Sequence, residues 1–98
     1  MIVLFVDQLG QIVATPGALG ALAAADTSPS TLLERHASGD WGDLDAPDRA
    51  ANAQALRDGS RLLSAYYVAD GVKVWIITEA ADEDGYRPAT TLLLPEEY

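Results

Sequence analysis

Apolar and polar positions along the chain change period at two places, and the changes divide it into elements. Met1 to Val6, "MIVLFV", is a short unbroken β-branched and aromatic run and predicts a buried strand. Asp7 to Gly10 can turn the chain, and Gln11 to Ala14 predicts a second short strand. The spacing then becomes helical. Thr15 followed by Pro16 is a cap and a first-turn proline, opening a helix through "PGALGALAAA" with Leu19, Leu22 and Ala23 as its apolar stripe. Gly17 and Gly20 weaken that helix. Ser28-Pro29 repeats the grammar, with Leu32, Leu33 and His36 at helical spacing and Gly39 as the stop. A third helix follows Asp45, with Pro47 and Asp48 in its first turn, Gly59 at its end, and Ala50, Ala53 and Leu56 as its inner face.

From Arg61 the period becomes two. In "RLLSAYYVADGVKVWIITEA" the Asp70-Gly71 pair is a two-residue hairpin turn. A straight register pairs Ala69 with Val72, Tyr67 with Val74 and Ala65 with Ile76 on one apolar face, together with Leu63. The other face then places Val68 opposite Lys73, Tyr66 opposite Trp75 and Ser64 opposite Ile77. After the loop "AADEDGYRP", Thr90 to Leu94 predicts a third antiparallel strand, ended by Pro95 before an acidic "EEY". The predicted fold is a single α+β domain over residues 1–98. Two or three short helices precede a three-stranded antiparallel β-meander, and an extra N-terminal strand or hairpin is added.

Charge narrows the function. The net charge is −9, from 15 acidic and 6 basic residues. Phosphate backbones repel such a surface, so direct nucleic-acid binding is disfavoured and a protein partner is expected. There is no cysteine, which excludes disulfides, thiolate metal sites and cysteine nucleophiles. The opening run lacks a basic n-region and a small-residue cleavage site, and no run is long enough for a membrane span. A cytoplasmic protein with no membrane association is the expectation.

The stretch "HASGDWGDLD", residues 36–45, concentrates the candidate chemistry. It holds the only histidine, one of two tryptophans and three aspartates. His36 with Asp40 or Asp43, and Arg87 from the later loop, could form a general acid–base set for a hydrolase or ribonuclease. The structural alternative places His36 in the last turn of its helix, bonding free carbonyls, with Trp41 plugging the core. Asp40, Asp43, Asp45 and Asp48 cluster, but Trp41 and Leu44 break the calcium-loop pattern, and no metal or cofactor is expected. "GALGAL" lacks a phosphate-loop pattern, and Ser38, Ser60 and Ser64 lack a nucleophile-elbow context. Tyr66, Trp75 and Ile77 are too apolar for an open face, so they are covered or form a binding patch. Trp41, Tyr66, Lys73 and Trp75 are the binding candidates.

The segments "TPGAL", "LLERHASGDWGDLD", "ALRDGSRLLSAYYVADGVKVWIITEA" and "TTLLLPEEY" resemble a family of small bacterial plasmid-related proteins of uncharacterised function. Its members are often encoded on plasmids, phages and other mobile elements. The resemblance covers about residues 12–98 and leaves "MIVLFV" outside. Some members carry the label type I restriction endonuclease subunit M. That activity does not transfer, since 98 residues without a glycine-rich strand–helix turn cannot form the cofactor-binding domain of a methyltransferase. Where the family runs from "TEAD" to the last strand through a short arginine-containing turn, this chain has the longer "EAADEDGYRPA", and Arg87 matches that arginine. The resemblance implies a mobile-element protein, and the sharpest form of the expectation is a non-enzymatic anti-restriction or anti-CRISPR inhibitor. A hydrolase centred on His36 is the alternative. A subunit that self-associates through the hairpin's outer face or an edge strand is a third.

Overall fold

The computed structural model describes residues 6–98. The strand expected over Met1 to Val6 lies outside the described residues but for Val6, which opens a 3-10 helix, Val6–Leu9. Strand β1 (Gln11–Ala14) follows, then helices α1 (Pro16–Ala24), α2 (Pro29–Ala37) and α3 (Ala46–Asp58). Strands β2 (Leu62–Ala69), β3 (Val72–Thr78) and β4 (Ala89–Leu93) complete the fold, and Pro95–Glu97 forms a last 3-10 turn.

All three helix starts follow from the caps in the sequence. The side chains of Thr15, Ser28 and Asp45 accept from the backbone N–H groups of Ala18, Ser30 and Asp48, and each helix carries proline in its first turn. The inner stripes differ from the expected ones. In α1, Ala18 and Leu22 are buried while Leu19 is 49% exposed. In α3, Asn52 and Ala55 face inward, and Ala50 and Ala53 are exposed. The reason is a polar contact that apolar periodicity does not register: Asn52 turns α3 toward the backbone of β2.

The sheet order is β1-β4-β3-β2. The β2–β3–β4 part is the expected antiparallel meander. The sheet as a whole is four-stranded and mixed, because β1 lies parallel to β4, pairing Gln11 with Ala89 and Ala14 with Leu92. Gly10 permits this approach. Its φ is +71°, and a Cβ there would lie 2.2 Å from the Arg87 carbonyl oxygen.

The hairpin register corrects the expected one. Ala69 pairs with Val72 around the Asp70-Gly71 turn, but the next pair is Tyr67 with Lys73, leaving Val68 as a bulge. Beyond it Tyr66 pairs with Val74, Ala65 with Trp75 and Ser64 with Ile76. One extra residue on β2 exchanges the two faces of that strand. Tyr66, 1% exposed, joins the core, and Tyr67, 59% exposed, takes the outer face. The core therefore packs Leu9, Leu22, Leu32 and Leu33 onto Tyr66, Val74, Ile76 and Leu92. No helix among the described residues is long and apolar enough to cross a membrane.

Candidate functional site

The structure places the four catalytic candidates in four separate settings. His36 points from α2 into the inner face of the sheet and is fully buried. Its Nδ1 lies 2.5 Å from the Ser64 hydroxyl, and its Nε2 lies 2.8 Å from the Thr78 hydroxyl. Thr78 is in turn 2.8 Å from the Thr90 hydroxyl, which donates to the Leu9 carbonyl at 2.7 Å. Direction follows from one end. A carbonyl only accepts, so Thr90 uses its single hydrogen on Leu9. Thr78 then donates to Thr90 and His36 Nε2–H donates to Thr78; burial keeps the ring neutral, so Nδ1 accepts from Ser64. The imidazole is the neutral Nε2–H tautomer.

The chain of bonds joins α2 to β2, β3, β4 and the first 3-10 helix. Burial, reinforced by the positive charge of Arg87, pushes the His36 imidazole down to about 4. The expected role of His36, bonding the free carbonyls of its own helix end, is corrected here. The backbone N–H groups of Ser38, Gly39 and Asp40 bond those carbonyls instead. Ser64 and His36 have the atoms of a nucleophile and a base, yet Ser64, Thr78 and Thr90 are completely buried, and the groups bonded to the ring are hydroxyls. The network is a strap.

Asp40 pairs with Arg35 rather than with His36. Arg35 Nε donates to one Asp40 oxygen at 2.6 Å, and Nη2 approaches the other at 3.3 Å. The Arg35 hydrogen bond holds the Asp40 carboxyl below its ordinary range. The same guanidinium sits 4.5 Å over the ring of Tyr66, whose hydroxyl donates to the Asp40 carbonyl at 2.6 Å. Burial pushes that phenol up to about 12. Asp43 lies 3.1 Å from Lys73 Nζ. Arg87 is buried and donates to the carbonyls of Ser60, Glu79 and Ala55, at 2.7, 3.1 and 3.1 Å. It clamps the last turn of α3 to the ends of β2 and β3, and burial pushes its pKa down. No acid–base set forms among His36, Asp40, Asp43 and Arg87. Among the described residues, no group of three or more His, Cys, Asp or Glu side chains could hold a metal ion.

Residues 41–43 serve the sheet. The Ala65 N–H donates to the Trp41 carbonyl at 3.1 Å, and the Asp43 N–H donates to the Ala65 carbonyl at 2.7 Å. Gly42 makes room: its φ is +72°, and a Cβ would stand 2.1 Å from the Ala65 carbonyl oxygen. Arg49 fixes the loop by donating to the Gly42 and Leu44 carbonyls at 2.7 and 3.0 Å. Beside it the Asn52 amide donates to the Leu63 carbonyl at 2.6 Å and accepts from the Leu63 N–H at 3.0 Å. The loop and Asn52 together close the outer edge of β2. The Trp41 side chain is half-buried rather than a core plug.

The outer face holds the remaining candidates. Tyr67 and Lys73 are cross-strand partners, with Lys73 Nζ 4.7 Å from the Tyr67 ring centroid. Trp75, two residues further along β3, is half-buried and meets Tyr98 edge-on at 5.8 Å between centroids. Arg61 donates to the Tyr98 hydroxyl at 2.7 Å and lies 5.6 Å from its ring centroid. Tyr66 leaves the expected patch, while Tyr67 and Tyr98 enter it. Sequence reasoning also passed over Asn52, Thr78 and Thr90. Their signal is a polar side chain at a position that periodicity assigns to the interior: Asn52 in an alanine-rich helix, and the threonines on buried strand positions.

These features define an α+β domain on a four-stranded mixed sheet. No protein-family model matches the chain, and no characterised protein or solved structure matches it either.

Proposed function

We propose that the protein is a non-enzymatic binding module that docks another protein through the outer face of its sheet. The observation that carries this reading is the strip of Tyr67, Lys73, Trp75, Tyr98 and Arg61, in which Lys73 lies over the Tyr67 ring, Arg61 lies over the Tyr98 ring, and Trp75 meets Tyr98 edge-on. Aromatic and arginine side chains are the usual anchors of protein interfaces. The −9 charge of the chain around the strip supports a partner that is basic at the rim of the contact, such as a protein that itself handles nucleic acid. The family resemblance adds a setting: on a mobile element, such a module is an inhibitor of a host restriction or CRISPR protein. Buried His36, with its hydroxyl partners, gives a hydrolase no accessible base.

The test is a paired capture from host lysate with immobilised wild type and a Tyr67→Ala/Trp75→Ala double variant whose circular dichroism matches wild type. The expected result is a discrete protein retained by wild type and lost by the variant. Identical retention by both, or no retention at low salt, sinks the reading.

A further inference from the structure

Among the described residues, the two edges of the sheet are finished differently. On β2, the Asn52 side chain and the Trp41–Asp43 loop satisfy the outward peptide groups of Leu63 and Ala65. On β1, the Gln11 N–H donates to the Pro88 carbonyl and the Thr15 N–H to the Leu92 carbonyl, both at 3.0 Å. In a parallel ladder this alternation turns the peptide groups of Ile12 and Ala14 away from β4. Ile12 and Val13 are each 40% exposed. The strand has no lysine, proline or bulge, the usual means of blunting an edge.

Charge indicates what belongs there. Residues 8–25 contain no Asp, Glu, Lys, Arg or His, in a chain of net charge −9. That stretch forms β1 and α1 and includes the exposed Leu19. Glu97, which reaches it at Thr15, is held there by the Thr15 hydroxyl and the Leu94 N–H. For a second copy of this acidic chain, most approaches meet like charge. The approach to β1 meets the neutral stretch. A two-fold contact needs a self-complementary patch, and an antiparallel strand edge is one.

We infer that the protein dimerises by antiparallel pairing of β1 with the same strand of a second copy. Ile12 pairs with Ala14 of the partner subunit, each exchanging both backbone hydrogen bonds, and Val13 faces Val13 of the partner subunit across the axis. Two four-stranded sheets become one continuous eight-stranded sheet. The inference is independent of what the outer face binds.

The experiment is sedimentation equilibrium across micromolar to millimolar protein, with amide hydrogen exchange on the same samples. Wild type should move from 10.4 kDa to twice that mass, more readily as salt screens the repulsion between the two acidic chains. The amides of Ile12 and Ala14 should gain protection with concentration. Val13→Lys should stay monomeric throughout, with its thermal midpoint equal to that of wild-type monomer. That substitution makes the chain less acidic, so loss of the dimer reports the edge and not the net charge. Trp75→Ala should dimerise like wild type, which separates this outcome from failure of the docking face. A wild-type monomer at all concentrations overturns the inference, as does a dimer that Val13→Lys leaves intact. Concentration-independent protection of Ile12 and Ala14 that is lost on removing residues 1–5 also overturns it, by assigning the edge to the chain's own N-terminal residues.

Discussion

The inner and outer faces of the β2–β3 hairpin come from one alternating sequence and behave as opposites. The inner face holds Ser64, Tyr66 and Thr78, all buried, with every hydroxyl bonded to a protein partner. The outer face holds Tyr67, Lys73 and Trp75, half-buried or exposed, paired through cation–ring and ring–ring contacts. Adjacent tyrosines in the sequence thus have unrelated duties. Strand alternation puts them on opposite faces, and the bulge at Val68 decides which of the two faces the core, so a backbone irregularity, and not side-chain type, sets which residue is structural and which is available.

The most forceful way to break the comparison is to truncate each tyrosine. Tyr66→Ala removes a buried ring, a hydrogen bond and a stacked guanidinium, and is expected to cost about 3–5 kcal/mol in denaturant unfolding. Tyr67→Ala should cost less than about 1 kcal/mol. Similar losses at both positions would show that the faces are not distinct. Next in size is acid. The unfolded histidine titrates near 6.5 and the folded one near 4, so between those values the unfolded chain binds the extra proton. The His36 contribution is complete above pH ~6.5 and is lost as pH falls toward 4, by about 3 kcal/mol. Unfolding free energy against pH for His36→Gln should lack that part of the slope; parallel curves would remove His36 from the inner network. The smallest effect belongs to the outer face. Lys73→Ala, which removes the partner of exposed Asp43, should cost at most about 1 kcal/mol, and 1 M salt should erase the electrostatic part. A larger, salt-insensitive loss would mean that the outer face is also core.

Features set by neighbouring residues are legible in the sequence. The caps at Thr15, Ser28 and Asp45 and the Asp70-Gly71 turn each depend on contacts a few residues apart, and all four are present. Features set by distant residues are not. The parallel β1–β4 pairing joins segments almost the whole chain apart, and His36 meets Ser64 and Thr78 at separations of 28 and 42 residues. Arg87 stands in the sequence as a catalytic candidate beside His36, Asp40 and Asp43. Its three carbonyl partners come from three segments that only the fold assembles. The bulge is hidden for a different reason: "YYVADG" is compatible with either register, and tertiary contacts of Tyr66 and Ser64 decide between them.

The stretch "HASGDWGDLD" began as a candidate active site and became a hem along β2, which Asn52 extends. That arrangement ties the longevity of the fold to the chemistry of one primary amide. Asn52 imitates a peptide group, donating and accepting at once, but a primary amide hydrolyses to a carboxylate far more readily than a peptide bond breaks. A carboxylate at that position would turn the donor into a second acceptor aimed at the Leu63 carbonyl, and the hem would open at that stitch.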